Sequence, residues 1–251
     1  GHGGNDDVYM LDLPSLDLTR FTFDQGSIMP KWGPTGESIL YLSVANGEGV
    51  MQRKADGSRP AVPAIKGQGL NILSSVSAPD NRVFYTRIGG TKLGAITTSD
   101  IHPEAEIEVA IDTPAAEWAA SISPDGEWLA YVSNETGREE VYVQPWPLTG
   151  AKYQVSRDGG RAPLWSKDGG ELFFNLYDRM FVVQIDTDTG FRAARPELLF
   201  RLAMDNSGIP MANYDVSADG SRFLIVEPDQ SRMSTVVHAE LGWARSLETA
   251  Q

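Results

Sequence analysis

Hydrophobic and polar residues alternate with a period of two along most of the chain, broken by clusters of Gly, Pro, Asp, Asn and Ser. A period of two places successive side chains on opposite faces of a strand, and the intervening clusters are turn formers. Helical periodicity is nearly absent. Only Leu198-Leu199-Phe200 and the tail from Ala244 to Leu247 read as helical turns. The pattern therefore predicts an all-β chain of many short strands joined by tight turns.

The strands recur. Ile122-Ser123-Pro124-Asp125-Gly126-Glu127-Trp128-Leu129-Ala130-Tyr131-Val132-Ser133 is the clearest copy of a unit in which an apolar residue and Ser precede an Asp-Gly turn and an apolar strand follows it. Further copies start at Trp165-Ser166-Lys167-Asp168-Gly169 and Val216-Ser217-Ala218-Asp219-Gly220. Degenerate ones start at Trp32-Gly33-Pro34-Thr35-Gly36 and Val76-Ser77-Ala78-Pro79-Asp80. The turn position falls at 36, 80, 126, 169 and 220, with intervals of 44, 46, 43 and 51 residues. Later apolar strands follow in each unit, at Val50-Met51-Gln52, Leu93 to Ile96, Val141 to Val143, Met180 to Ile185 and Thr235 to Val237. A shorter fourth often follows, as at Tyr153-Gln154-Val155. Four strands in about 45 residues is the signature of a β-propeller blade. Asp-Gly is expected to supply the positive backbone angles of the hairpin, and the Asp side chain to bond nearby N–H groups. Trp32, Val76, Ile122, Trp165 and Val216 share one place on the inner strand. Packing between neighbouring blades is the preferred reading there, and a ring of ligand-binding aromatics is the alternative.

The termini do not match the blade register. Val8 to Leu13 and Leu18 to Phe23 stand where a third and fourth strand would, since Tyr9 precedes its next turn by the same 27 residues as Tyr142. The last repeat has three strands and no obvious fourth. Two arrangements follow: a five-bladed ring whose terminal blade is composite, or an incomplete six-bladed one with an open edge that favours self-association. Residues 1–7 read as a tag scar or loop remnant, 8–243 as one propeller domain and 244–251 as a tail.

Composition narrows the partners. Acidic residues number 34 against 21 basic, for a net charge of −13 and a pI near 4.6. Such a charge repels phosphate backbones and argues against nucleic-acid binding. There is no Cys, so no disulfide framework, thiolate metal site or Cys nucleophile. No apolar run approaches membrane-spanning length, and Gly1 to Asn5 is no signal peptide.

Ser123 to Glu135 followed by Val141-Tyr142-Val143-Gln144-Pro145-Trp146-Pro147 resembles the TolB-like propeller repeat. In detail it resembles the C-terminal, extracytoplasmic propellers of bacterial membrane-anchored Ser/Thr protein kinases. Asp158-Gly159-Gly160 leading to Pro163-Leu164-Trp165-Ser166, Asn213 to Ser217, and Val236-Val237 to Leu241-Gly242-Trp243 extend the match. The resemblance implies a sensory or scaffolding propeller in an extracytoplasmic or periplasmic setting. The chain carries no kinase motif and no Gly-x-Ser-x-Gly elbow.

The chemistry-bearing residues are few. His2, His102 and His238 lack metal-ligand spacing. Asp186-Thr187-Asp188-Thr189-Gly190 resembles half a calcium loop, and calcium at Asp186 and Asp188 is the one cofactor weighed against a plain turn between outer strands. Glu135, Glu139 and Glu140 beside Arg138 read as a solvated loop edge, or alternatively as an acidic docking patch. Propeller ligands usually meet the face where connections into the inner strands converge. Here those are 24–28, 66–71, 112–117, 157–162 and 203–212, with the second-to-third-strand loops near 44–49, 87–91, 134–139, 176–179 and 228–234. The longest, with Met204, Asp205, Asn206, Ile209 and Met211, is the expected partner-binding loop. The leading expectation is a non-catalytic module that recognises a protein or small ligand, as the sensor of a signalling protein. A channel-centred lyase or hydrolase and a self-assembling structural module are the alternatives.

Overall fold

The computed structural model describes residues 6–45, 49–66, 71–88, 94–201, 212–229 and 234–241. Among them there is no α-helix, and no helix long and apolar enough to cross a membrane. The fold class is an all-β propeller of four-stranded antiparallel blades, as the strand period and the 45-residue repeat predict. The chain divides into two compact units, 1–112 and 113–251.

In the first unit β1 (Tyr9–Leu11) and β2 (Leu18–Arg20) pair as a two-stranded sheet. A four-stranded blade follows, in the order β3 (Ser27–Trp32), β4 (Ser38–Ser43), β5 (Gly49–Lys54) and β6 (Val62–Lys66). The next blade runs β7 (Asn71–Ser77), β8 (Arg82–Arg87), β9 (Ala95–Asp100) and β10 (Glu108–Ile111). The first sheet packs on the second through Val8, Phe21, Ile39, Tyr41 and Met51. Leu40, Val50, Ile65, Leu73, Val83 and Tyr85 fill the space between the second and third. Arg53 fastens the small sheet down. Its guanidinium donates to the carbonyls of Phe21, Gly57 and Arg59 and lies 5.0 Å from the Phe21 ring centroid.

The second unit opens with a blade in the order β11 (Glu117–Ile122), β12 (Trp128–Ser133), β13 (Glu140–Pro145) and β14 (Tyr153–Gln154). The next blade runs β15 (Arg161–Trp165), β16 (Glu171–Leu176), β17 (Arg179–Asp186) and β18 (Arg192–Ala193), with β19 (Glu197–Arg201) also on β17. A sheet of β20 (Tyr214–Val216), β21 (Arg222–Asp229) and β22 (Ser234–Leu241) completes it. Trp118, Ala130, Val132, Val141 and Val143 of the first blade meet Trp165, Leu172, Phe174 and Val183 of the second in one core.

β19 corrects the helical reading of Leu198-Leu199-Phe200. β17 is eight residues long and β18 occupies only its far end, so the remaining edge accepts β19 through Met180↔Phe200 and Phe181↔Leu198. Ladder hydrogen bonds on an open edge override a weak local periodicity. The tail 244–247 lies outside the described residues.

The turns are built around a serine. In the repeat at 123, the Ser123 hydroxyl donates to Asp125 and accepts the Trp128 N–H at 2.9 Å, while Asp125 Oδ1 accepts the Glu127 N–H at 3.0 Å. Ser166 and Asp168 repeat this with Glu171 and Gly170, at 2.9 and 3.0 Å. Ser217 and Asp219 repeat it with Arg222 and Ser221, at 3.0 and 3.1 Å. Only the glycine takes a positive φ (Gly126 +79°, Gly169 +76°, Gly220 +69°), so one left-handed residue closes each turn and not the Asp-Gly pair. In the second repeat the left-handed residue is Asn81 (φ +51°), one place beyond the expected Asp80, in a turn of unchanged length, since Val76 pairs with Val83 as Ile122 does with Leu129.

The shared inner-strand position is only partly core. Ile122, Trp165 and Val216 are buried and Val76 half-buried, but Trp32 is 55% exposed. Trp165 is covered by the blade before it, and its Nε1 donates to the Ser121 carbonyl on β11 at 3.0 Å. Among the described residues the sheet before Trp32 consists of β1 and β2, and no inner strand of it covers the indole.

Candidate functional site

Three innermost strands open on a polar residue paired with a polar residue at the end of the neighbouring strand: Ser27↔Ser43 in the first unit, and Glu117↔Ser133 and Arg161↔Asn175, the last one residue short of the end of β16, in the second. The polar residues mark the ends of the blades where the inner connections arrive. A β-bulge lies just beyond, with a left-handed residue at Met29 (φ +56°), Ala119 (+53°) and Ala162 (+52°). A bulge re-aims the residues before it out of the ladder and into the end loops.

In the first unit Asp24 gathers this end. It accepts the Ser27 hydroxyl at 2.6 Å, the Ser43 hydroxyl at 3.1 Å and the Gly26 N–H at 3.4 Å. Arg87 pairs with Asp112 at 3.0 Å.

The second unit carries the richer cluster. Glu140, at the start of β13, is fully buried. Its carboxylate accepts the Ser156 hydroxyl, the Gly159 N–H at 3.1 Å and the Arg138 guanidinium. Ser156 in turn accepts the Val141 N–H at 2.8 Å. Glu139 pairs with Arg161, whose guanidinium carbon lies 5.8 Å from the Tyr177 ring centroid. Lys152 pairs with Glu135. The solvated acidic edge expected at 135–140 is thus corrected at Glu140. A buried carboxylate is stable only when hydrogen bonds replace its water, and the loop 156–159 folds back to provide them. Tyr177 and Asp178 form the two-residue turn between β16 and β17, with Tyr177 59% exposed at φ +56°. A left-handed, exposed Tyr at a position that suits Gly stores strain and holds an aromatic ring out to solvent.

Titration follows burial. Desolvation raises the phenols of Tyr85, Tyr131, Tyr142 and Tyr214, which stay protonated; Tyr214 donates to the Ala162 carbonyl at 2.7 Å, and Tyr131 accepts from the Gln144 amide. Among the described residues no three His, Asp or Glu side chains are grouped as a metal ion requires. Asp186 Oδ1 accepts the Asp188 N–H at 3.0 Å, an Asx turn joining β17 to β18. His102 Nδ1 accepts the Glu104 N–H at 3.2 Å in a turn, and His238 falls on β22. Met204, Asp205, Asn206, Ile209 and Met211 lie outside the described residues, as does His2. The sequence reading placed loops 134–139, 157–162 and 176–179 on one face, and within the second unit the structure brings them together. It missed that Glu140 and Ser156 organise them. The signal was Ser156, two residues beyond the fourth-strand Tyr153-Gln154, which is visible once the third strand is known to begin on an acid.

No protein-family model matches the chain, and a search of curated proteins finds none that matches. Solved structures do. TolB from Acinetobacter baumannii superposes with a TM-score of 0.72 at 15% identity over 97% of this chain, which spans 59% of that one. A nidogen/laminin complex gives 0.69 at 12% identity, covering 97% of this chain and 88% of the other. An oligogalacturonate lyase from Vibrio parahaemolyticus gives 0.59 at 11%, covering 97% and 70%. The fold is therefore TolB-like. The expectation of a chain without enzymatic activity is withdrawn: lyases share this propeller, and the fold carries catalysis as well as binding.

Proposed function

We propose that the chain is a recognition module that binds a protein or small ligand at the ends of its blades, and that it serves as the extracytoplasmic sensor part of a signalling protein. The rim of the second unit supports this reading. Arg138 and Arg161 are held by Glu140 and Glu139 from beneath, and Tyr177 stands beside Arg161 on a strained turn. Arginine and exposed tyrosine held in fixed positions are the residues that dominate recognition surfaces. The TolB-like fold and the kinase-linked propellers that the repeats resemble support the extracytoplasmic setting.

The test is selection of peptides from a random displayed library against the purified chain. Selected peptides should lose at least about tenfold in affinity, or ~1.4 kcal/mol, for Arg161→Ala and Tyr177→Gly, with the far-UV spectrum unchanged. Peptides that bind all variants equally would place recognition elsewhere and defeat the reading.

A further inference from the structure

Arginines gather around the Tyr177-Asp178 turn at one end of the second unit. The Arg161 guanidinium carbon lies 5.8 Å from the Tyr177 ring centroid, and Arg201 pairs with Asp178 at 3.2 Å. Arg179 follows the turn and opens β17. Arg157 sits on the loop 156–159, which packs against the same turn: a β-carbon on Gly159 would stand 3.0 Å from Leu176 Cδ1. Arg138 donates to the Arg157 carbonyl. Within 138–140, 156–161, 176–179 and 200–201 these arginines number five, against the four carboxylates Glu139, Glu140, Asp158 and Asp178. The whole chain has 34 acidic residues to 21 basic, so this local excess of cation runs against its composition.

Arg179 and Arg201 are direct cross-strand partners on β17 and β19. Like charges placed opposite each other destabilise a sheet. Asp178 relieves Arg201, whereas Arg179 lies 5.6 Å from the Phe181 ring centroid and, among the described residues, pairs with no carboxylate. The layout of these side chains sets the length of a ligand. β15, β16, β17 and β19 are successive neighbours, so Arg161 on the first and Arg201 on the last stand about 14 Å apart at ~4.8 Å per strand. A single phosphate or carboxylate does not bridge that span. An extended peptide rises about 3.3 Å per residue and turns alternate side chains to one face, so three acids at alternate positions cover about 13 Å.

We propose that this end of the second unit binds an extended acidic peptide segment with Asp or Glu at alternate positions, whose carboxylates meet Arg161, Arg179 and Arg201. The proposal rests on the reading of this rim as the recognition surface and names the chemistry recognised there. Guanidinium forks take carboxylates through paired, charge-assisted hydrogen bonds. The site already holds two such contacts of its own, Glu139 on Nε of Arg161 and Asp178 on Nη1 of Arg201. Arg201 and Tyr177 are well exposed, at 61% and 59%, so a segment lying across the turn reaches them. Elsewhere the net charge of −13 holds acidic chains off, which confines such a segment to the rim.

The test is fluorescence anisotropy of a labelled peptide Gly-Glu-Thr-Glu-Thr-Glu-Gly, and of its counterpart with Gln for each Glu, titrated with the purified chain. The Glu peptide should bind ~10-fold or more tighter than the Gln peptide. Arg179→Gln and Arg201→Gln should each weaken the Glu peptide about threefold and leave the Gln peptide unchanged, with the far-UV spectrum preserved. Lys167→Gln removes the same charge from the exposed turn at the other end of β15 and β16, and should change neither. Equal affinity for the two peptides, or equal losses for Lys167→Gln and the arginine variants, would overturn the proposal. So would release of the Glu peptide by inorganic phosphate at constant ionic strength, or tighter binding of a uronic acid oligosaccharide of equal charge, since the occupant would then be a single anion or an acidic glycan. The two readings of the rim fail separately. If library-selected peptides still depend on Arg161 and Tyr177 while the Glu peptide gains nothing over the Gln peptide, only the acidic preference falls. If the library peptides are indifferent to both substitutions and the Glu peptide to its arginines, both readings fall.

Discussion

Trp165 and Trp32 hold the same place in the repeat and differ only in what lies before them, so substituting each by Ala isolates the worth of one blade-to-blade contact. Trp165 is 5% exposed within the core shared by its own blade and the preceding one. A buried Trp removes about 200 Å² from water, which at ~25 cal/mol/Å² is about 5 kcal/mol. Measured Trp→Ala losses of about 3–5 kcal/mol agree. The Nε1–Ser121 carbonyl bond adds about 1 kcal/mol. Trp165→Ala should therefore destabilise by about 4–6 kcal/mol. Trp32 is 55% exposed, and Trp32→Ala should cost about 1 kcal/mol or less. In thermal unfolding followed by far-UV circular dichroism, at roughly 2–4 °C per kcal/mol for a chain of this size, Trp165→Ala should melt at least about 8 °C lower and Trp32→Ala within about 4 °C of the parent. Trp165→Phe, which keeps the ring and loses the donor, should fall between. Equal shifts for the two alanine variants, or a loss under ~1 kcal/mol at Trp165, would refute the reading that a preceding inner strand is what buries this position.

The other predictions concern the turns and the loop clasp. Ser123→Ala removes an acceptor for the Trp128 N–H and a donor to Asp125 at a buried site, and should cost about 2 kcal/mol by denaturant midpoint, against about 1 kcal/mol or less for the more exposed Ser217→Ala. Hydrogen bonds from Ser217 and Ser221 hold Asp219 down to about 2, below its ordinary 3.8. A carboxyl depressed in the folded state contributes stability that is fully present above the unfolded value and is lost as pH falls through the folded one. That contribution should therefore fade between about pH 4 and pH 2, and in a carboxyl NMR titration Ser217→Ala should move Asp219 back toward its ordinary value. Gly159 lies at φ +102°, and a β-carbon there would sit 3.0 Å from Leu176 Cδ1, so Gly159→Ala should cost about 1–3 kcal/mol in the same unfolding assay.

The strand pattern made the blades legible because each inner hairpin carries its own turn chemistry. Ser, Asp and Gly at fixed spacing are a local signal, and the outer strands follow at a fixed distance. Three features were not legible, each for a physical reason. The exposure of Trp32 depends on the strands of the sheet before it, and an apolar residue looks the same whether or not a neighbour arrives. The first repeat has Gly33 where the others have Ser, which reads as decay. In the structure a β-carbon at Gly33 would stand 2.4 Å from Ser38 Oγ, which is already bonded by Gln52, so the turn has been rebuilt from the other side. The bulges at Met29, Ala119 and Ala162 leave no Gly or Asn to mark their positive φ, because the ladder on either side holds the backbone there. At the rim, the charged residues were visible but not their directions: Glu140 points inward, and that follows from a serine 16 residues away.

That inward direction bears on how so acidic a chain recognises anything. At the ends of its blades the carboxylates are spent on the fold. Asp7 accepts from Thr22, Gln25 and Arg20, Asp24 from Ser27, Ser43 and Gly26, and Glu140 from Ser156, Gly159 and Arg138. Desolvation pushes the Asp7 carboxyl up, yet the bonds from Thr22 and Arg20 outweigh it and hold the group ionised below its ordinary value. A carboxylate used this way draws its guanidinium partner over itself, as with Arg138, which also donates to the Arg157 carbonyl and whose side chain stays 57% exposed while Glu140 is fully buried. The rim of the second unit thus presents donors although the chain as a whole is negative. A partner that meets it with carboxylates or carbonyls gains hydrogen bonds to guanidinium groups already fixed in place, with little further side-chain entropy lost on binding.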